Sequence, residues 1–298
     1  MKIFNGIFSV LLGLLLTVTL IILGGIITLE NTILNTDFVI SEMEKLDAYS
    51  IITDRVKLQL HEQLPIEVPY VEKIIDKTII ELKPWFNKQV DYIIYEGYAY
   101  IKGKQNLHIV ISLIEVKEII QENVEEAIEE FLLPELEAFP PDITQLLISQ
   151  IYAEIDKQIP EQIEIDEALL GTEIVLQLHQ VRKTVGYILV GEKIVIGLTV
   201  PLIFFIVLLQ WWRLKPIALY TGIPFITAGA FTIVATLNIG RFIPDLLPLE
   251  LPAEIISVMP AVASDVFSIL RIYGIIILII GIALTLLYGK LRAEDYPD

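Results

Sequence analysis

The chain has 298 residues, a formal net charge of −17 and no cysteine, and 54% of its residues are hydrophobic. Soluble globular chains are usually about 45–50% apolar, so a chain this apolar and this acidic must keep the two properties in separate segments. This composition excludes a disordered chain, a disulfide-stabilised secreted domain, thiolate metal sites and cysteine catalysis. It indicates an integral membrane protein with one water-facing domain.

Four apolar segments predict transmembrane helices. They cover residues 1–29, 194–212, 217–237 and 269–289. Each is nearly free of charge over its central turns and long enough to cross a hydrocarbon core of about 30 Å. Because backbone polar groups must be paired in hydrocarbon, we expect every span to be helical. A cleaved signal peptide is the alternative for the first span, but its apolar run exceeds the usual h-region of about 7–15 residues.

Glycines seven residues apart recur in spans 1, 3 and 4. Seven residues make two helical turns, so each pair lies on one face and allows a neighbouring helix to approach closely. The pairs are Gly6 and Gly13, Gly222 and Gly229, and Gly274 and Gly281. We therefore predict a compact four-helix transmembrane bundle.

Basic residues in the short flanks predict the orientation. The flanking residues are Lys2, Arg213, Lys215, Lys290 and Arg292. Cytoplasmic flanks carry an excess of Lys and Arg, so both termini, the loop 213–216 and the tail 290–298 should be cytoplasmic. Residues 30–193 and the loop 238–268 should then be extracytoplasmic. The chain also has neither cysteines nor N-glycosylation sequons, which favours a prokaryotic plasma membrane.

The outer domain, residues 30–193, carries the whole net charge of the chain. It holds 31 acidic and 14 basic residues, and its segment 115–173 holds 17 acidic and 2 basic residues. Such a surface repels nucleic acid and anionic headgroups, and it attracts basic partner surfaces. The alternative interpretation is a solvated surface that only keeps the domain soluble.

Helical periodicity predicts a mostly helical outer domain with a small sheet. The predicted helices are 37–46, 48–63 with Asp47 as N-cap, 69–82, 84–100 opened by Pro84, 115–133 and 143–158, followed by a helix that runs from about Thr172 into span 2. Gly103 interrupts the chain after residue 100. The alternating segments 107–113 and 161–166 predict two paired strands.

The loop 238–268 contains four prolines among many apolar residues. It is too broken to span a membrane and too apolar to be fully solvated, so we expect it at the membrane interface. Its segment 253–263 could form a short interfacial helix. A functional interpretation is a lid or groove for a lipid or a partner, and the simpler one is a packing loop.

The sequence carries no catalytic or cofactor motif. His61, His108 and His179 are scattered, and none belongs to a zinc-binding pattern. No nucleophile elbow, P-loop, dinucleotide fingerprint or EF-hand occurs, and no charged residue lies near the middle of a span. We therefore expect no cofactor, no metal and no enzymatic activity.

Aromatic and acidic residues of the outer domain define a candidate partner surface. Its residues are Trp85, Tyr92, Tyr95, Glu125, Glu126, Glu129 and Glu130. Aromatic stripes line binding grooves, although such a stripe more often belongs to a core. The predicted topology, with four spans, cytoplasmic termini and a large first outer loop, resembles that of the FtsX-type division permeases, but no residue motif identifies a family. The sequence favours a scaffold that binds another envelope protein; the alternative is a transport-related or lipid-handling subunit that uses the loop 238–268.

Overall fold

The computed structural model describes residues 2–63, 69–128, 141–239 and 253–293. The elements follow one another as α1 (Lys2–Asn31), α2 (Thr36–Lys45), α3 (Ala48–Gln63), α4 (Pro69–Ile101), β1 (His108–Ser112), α5 (Ile114–Ala127), α6 (Pro141–Gln158), β2 (Gln162–Asp166), α7 (Glu167–Leu209), α8 (Leu214–Ile239) and α9 (Ala253–Ala293). The chain divides into a span unit, residues 1–42 and 184–298, and a polar unit, residues 43–183.

Four helices are long and apolar enough to cross a membrane, as the sequence predicts. They are Asn5–Asn31, Glu167–Leu209, Leu214–Leu237 and Met259–Arg292. Within α7, Gly171 has a φ of 75° and interrupts the first turn. The helix is regular from Thr172 onward, which confirms that the predicted helix from this position continues into the second apolar segment.

Glycines bring α8 and α9 into backbone contact inside the span unit. A Cβ built on Gly229 would lie 2.7 Å from the Gly274 carbonyl oxygen, and one on Gly281 would lie 2.9 Å from the Gly222 carbonyl oxygen. These two glycine pairs therefore lie at the interface between the two helices. Gly13 of α1 is less crowded, because its Cβ would lie 3.2 Å from the ring of Pro224.

Large apolar side chains complete the core of the span unit. Leu16 and Leu20 of α1 are buried together with Leu202 and Ile206 of α7, and with Ala228 and Ile277 of the glycine-rich pair. Burial of these side chains joins all four apolar helices. The remaining predicted glycine, Gly6, is the least crowded of the six, because a Cβ on it would meet only the Tyr220 hydroxyl, at 3.5 Å.

Polar side chains connect α1 to the end of α7. The Gln210 side-chain amide donates a hydrogen bond to the Ser9 hydroxyl at 2.8 Å, and the Asn5 amide donates to the Leu209 carbonyl at 3.3 Å. Interhelical bonds of this kind help membrane helices to associate. Trp211 and Trp212 form the following turn, both with positive φ and both strongly exposed.

The threonines of the apolar helices are satisfied within their own helices. Each hydroxyl donates to a carbonyl one turn earlier, which is how a helix accommodates threonine in an apolar setting. The hydroxyls are those of Thr17, Thr19, Thr199, Thr227, Thr232 and Thr236. These hydroxyls are therefore engaged in helix backbone bonds and form no continuous polar path.

The two strands of the polar unit pair as the sequence predicts. Strands β1 and β2 are antiparallel, and Val110 lies opposite Glu164. Ile109 and Ile111 are buried with Tyr100, Leu107 and Leu113, and this cluster forms the core of the unit. The buried face is the predicted apolar face of strand 107–113.

Proline positions account for two differences from the predicted helices. Pro84 was expected to open a second helix, but α4 continues from Pro69 to Ile101 with Pro84 inside it. A proline removes one backbone hydrogen bond of a helix, and here the neighbouring residue, Trp85, packs partly buried against the core. Likewise α9 begins at Ala253 and continues through Pro260, so the second half of the predicted loop 238–268 is helical.

Asp47 does not act as the predicted side-chain N-cap. Its φ is 51°, and its carboxylate accepts a hydrogen bond from the Ser50 hydroxyl at 2.7 Å. The start of α3 is instead closed by the Asp47 carbonyl, which accepts from the Ser50 amide at 3.1 Å. The far end of the predicted helix 115–133 lies outside the described residues.

Candidate functional site

Two acidic residues of the predicted partner surface lie in the described part of the chain, and both make contacts within the polar unit. Glu125 accepts a hydrogen bond from the Tyr152 hydroxyl at 2.8 Å, which connects α5 to α6. Glu126 forms an ion pair with Lys77, which connects α5 to α4. Glu129 and Glu130 lie outside the described residues. Glu125 and Glu126 therefore contribute to the packing of the unit.

A second polar contact reinforces the junction of α5 and α6. Lys117 is largely buried, with 13% of its side chain exposed, and its ammonium lies 3.2 Å from the Asp156 carboxylate. Desolvation, and then the hydrogen bond to the Glu125 carboxylate, raise the pKa of Tyr152. Few cations are present in the segment 115–173, and Lys117 is used for internal pairing.

The predicted aromatic stripe of α4 separates into a buried and an exposed part. Trp85 packs partly buried against the core around Tyr100. Tyr92 and Tyr95 are 37% and 47% exposed, and Ile80 is 71% exposed. At about 100° per residue, Ile80, Tyr92 and Tyr95 fall within about one third of the helix circumference. We call these three side chains the α4 face.

The acidic and aromatic parts of the predicted surface lie at different levels along α4. Glu126 pairs with Lys77, whereas Tyr92 lies fifteen residues further along the same helix. With a rise of about 1.5 Å per residue, this spacing amounts to about 22 Å along the axis. The structure therefore places Glu126 and Tyr92 apart rather than in one cluster.

Tyr49 of α3 contacts α4 at Asp91, which falls within the same third of the helix circumference as the α4 face. Its hydroxyl donates a hydrogen bond to the Asp91 carboxylate, and only 5% of the residue is exposed. Desolvation, and then the bond to Asp91, raise the pKa of Tyr49 well above its ordinary value. This contact fixes the rotation of α4 relative to α3, and with it the position of the α4 face.

Sequence reasoning did not find a polar cluster that the structure places around Tyr100. Tyr100 is almost fully buried, and its hydroxyl lies 3.3 Å from the Glu167 carboxylate and 3.5 Å from Nδ1 of His179. The guanidinium of Arg182 lies 4.8 Å from the centre of the Tyr100 ring. We call Tyr100, Glu167, His179 and Arg182 the Tyr100 cluster.

The Tyr100 cluster joins the end of α4 to the start of α7. The α4 helix ends just before Gly103, as expected; the φ of Gly103 is 71°, and its amide donates to the Tyr100 carbonyl at 2.8 Å. The next amide, that of Lys104, donates to the Ala99 carbonyl at 2.9 Å, which completes a Schellman motif. A cation over an aromatic ring and a hydroxyl between a carboxylate and an imidazole are contacts that stabilise this junction.

The described residues provide no metal-binding group. No three His, Asp or Glu side chains of the described ranges converge closely enough to hold an ion. His179 lies 3.8 Å from Glu167, while His108 lies in β1 opposite Asp166. The side chain of the third predicted histidine, His61, lies outside the described part.

An open apolar groove of about 400 Å³ lies between α1 and α8 in the span unit. It is lined by Gly6, Ile7, Val10, Leu11 and Tyr220. The Tyr220 hydroxyl contributes polarity to an otherwise apolar lining. The chemistry of the groove suits a hydrocarbon chain.

Comparisons with protein-family models, with curated proteins and with solved structures give no match to this chain. No residue role is therefore transferred from another protein, and the functional argument rests on the residues described above.

Proposed function

We propose that the protein is a non-enzymatic integral membrane protein whose acidic polar unit binds or scaffolds another cell-envelope protein. Four membrane-length apolar helices and a net charge of −17 concentrated between residues 30 and 193 support this role. In this proposal residues 30–193 lie on the extracytoplasmic side of a prokaryotic plasma membrane. Both termini lie in the cytoplasm.

The observation that carries the proposal is the α4 face. Ile80, Tyr92 and Tyr95 remain exposed, although α4 also contacts α3, α5 and the core through other residues. Aromatic side chains bury a large area at a low cost in conformational entropy, and they are enriched at protein interfaces. An apolar and aromatic face on a strongly acidic unit is typical of a site for another protein.

Site-specific photocrosslinking in intact cells tests this role. A benzophenone amino acid replaces Ile80 or Tyr95, and a third variant carries it at Leu286, which is 69% exposed on α9 and serves as the membrane control. We expect both α4 variants to capture the same membrane or secreted protein, and the Leu286 variant not to capture it. A Tyr92→Ala substitution should reduce that capture. Adducts containing only lipid or a second copy of the chain at both α4 positions contradict the proposal.

The orientation is tested separately with single cysteines, because the natural chain has none. Lys88→Cys lies on an exposed position of the polar unit, and Lys290→Cys lies in the last turn of α9. A membrane-impermeant maleimide should label residue 88 in intact cells and residue 290 only after permeabilisation. The reverse pattern overturns the proposed topology.

A lipid-handling or transport-related role is the second candidate, and the groove between α1 and α8 favours it. Gly6 has room for a larger side chain, so Gly6→Leu should fill the groove. Mass spectrometry of the purified protein would then detect fewer retained lipids than in the natural chain. Equal lipid retention in both forms removes the support for this alternative.

A further inference from the structure

The hydrogen-bond pattern of the small sheet determines which backbone groups of β2 point away from β1. The Leu113 amide donates to the Glu161 carbonyl at 2.8 Å. In an antiparallel pair, bonded positions alternate, so Ile111 opposite Ile163 is a bonded pair and Val110 opposite Glu164 is not. The amide and carbonyl groups of Gln162 and Glu164 therefore point to the outer edge of β2.

The outer edge of β2 is free within the described part of the chain. The sheet there contains β1 and β2 alone, and no backbone hydrogen bond of Gln162 or Glu164 to other described residues is present. A strand edge with unpaired amides and carbonyls is a template for one more strand. β2 is also the more exposed of the two strands, since Gln162, Ile163 and Glu164 are all exposed.

The two faces of β2 specify the side chains of an added strand. Ile163 lies on the core side of the sheet and is 39% exposed, whereas its partner Ile111 is only 8% exposed. The incomplete burial of Ile163 leaves apolar area for a neighbouring side chain to cover. On the other face, Gln162 and Glu164 present a polar surface.

Charge selects the partner for this edge. The segment 161–167 holds four carboxylates, those of Glu161, Glu164, Asp166 and Glu167, and no cation. A second copy of the chain that paired β2 with β2 would bring these carboxylates together, and like charges opposite one another destabilise a sheet. A strand with Lys or Arg on that face would gain opposite-charge pairs.

We propose that the outer edge of β2 receives an extended segment of the partner protein in which apolar and basic residues alternate. The apolar residues of that segment cover Ile163, and its basic residues face Glu164 on the opposite side. This inference rests on the proposed binding role and names the surface that the partner uses. Backbone hydrogen bonds supply affinity in such strand addition, and alternate side chains supply specificity.

Peptide binding to the full chain in phosphatidylcholine nanodiscs tests the inference. The probe is a fluorescent eight-residue peptide of alternating valine and lysine, measured by anisotropy against empty nanodiscs. One control peptide has the same composition in two blocks, another alternates valine and glutamate, and a third is the probe with N-methyl groups at its four central residues. The N-methyl peptide keeps charge and side chains, but its four central residues cannot donate strand hydrogen bonds.

We expect the alternating basic peptide to bind and each control peptide to bind about tenfold more weakly or worse. Glu164→Pro removes an outward-pointing amide without removing a hydrogen bond to β1, and it should lower the affinity for the probe peptide by about tenfold. Glu164→Gln should lower the affinity for the probe peptide severalfold. Glu122→Gln, an equal change of charge on α5, should leave that affinity unchanged.

Two results overturn the inference. Equal binding of the block or N-methyl peptide means that attraction to the acidic surface is nonspecific. Absence of binding by the probe means that the edge of β2 does not accept such a strand. If photocrosslinking at Ile80 and Tyr95 still captures a protein, the proposed function stands, and only the edge of β2 is excluded as the binding surface. Because the N-methyl peptide tests the natural chain, the result does not depend on the folding of Glu164→Pro.

Discussion

The backbone of Gly229 in α8 lies against the backbone of Leu278 in α9. A Cβ on Gly229 would lie 2.6 Å from the Leu278 amide nitrogen, closer than real Cβ atoms approach other atoms. The neighbouring atoms belong to a helix backbone, so no side-chain rotation can relieve the contact. A methyl group at residue 229 must therefore push the two helices apart.

Gly229→Ala should destabilise the span unit by about 1–3 kcal/mol, as overpacking in a close-packed interior usually does. Gly197→Ala is the matched control, because no atom lies within 4 Å of its Cβ position. There the better helix propensity of alanine should leave stability equal or raise it by up to about 1 kcal/mol. Thermal unfolding in a mild detergent measures both variants, and equal midpoints would count against the close contact.

Two adjacent glycines of α1 provide a second paired test. A Cβ on Gly24 would collide with the Tyr273 ring, whereas nothing lies within 4 Å of a Cβ on Gly25. The Tyr273 hydroxyl also donates to the Leu20 carbonyl at 2.8 Å, which holds the ring in place. Gly24→Ala should therefore lower the unfolding temperature in detergent and Gly25→Ala should not. A similar loss in both variants would show that helix propensity or lipid contact, and not Tyr273, controls this position.

The glycine pattern shows which part of the packing could be predicted from the sequence. Seven-residue spacing selected six glycines. Gly222, Gly229, Gly274 and Gly281 have the close contacts, whereas Gly6 and Gly13 are less crowded. Gly24 was missed because it belongs to no such pair, and its close contact with α9 is made only by the Tyr273 ring. Spacing identifies a helix face, but the side chain opposite that face depends on the arrangement of helices that are distant in sequence.

Tyr49→Phe should destabilise the polar unit by about 1.5–3 kcal/mol at neutral pH, because it removes a buried hydrogen bond to the Asp91 carboxylate. The folded state raises the pKa of Tyr49 above its ordinary value of 10.0, so folding favours the protonated phenol. This stabilisation is present below pH 10 and decreases as the pH rises toward the folded-state pKa. The advantage of the natural chain over the Phe variant should therefore shrink above pH 10.

Hydrogen exchange of the full chain, read on peptides from α3 and α4, measures this difference at pH 7. Denaturant unfolding followed at several pH values between 8 and 11 measures its pH dependence. Tyr92→Phe is the control, since Tyr92 is exposed on α4. A stability difference between the natural chain and Tyr49→Phe that stays constant through pH 11 would contradict the role assigned to the Asp91 bond.

The polar unit illustrates the same division between local and long-range information. Alternation in 107–113 and 161–166 predicted the paired strands, because each segment alternates apolar and polar residues within its own sequence. The Tyr100 cluster could not be read in this way. Tyr100 is 67 residues from Glu167 in sequence. No spacing rule connects it to the glutamate, histidine and arginine of α7 until α4 and α7 are placed together.

The contact between Arg182 and the Tyr100 ring can be tested separately from the hydrogen bonds of the Tyr100 hydroxyl. Arg182→Met should destabilise the junction of α4 and α7 by about 0.5–2 kcal/mol, the range for a cation over an aromatic ring. The same loss should occur in a Tyr100→Phe background, which keeps the ring, and should disappear in a Tyr100→Leu background, which does not. Lys104→Met controls for the loss of one positive charge near the same turn. Hydrogen exchange in peptides that cover 93–112 measures each variant. If Arg182→Met had an equal effect in the Phe and Leu backgrounds, the role of Arg182 would be general charge balance in the acidic unit and not the contact with the ring.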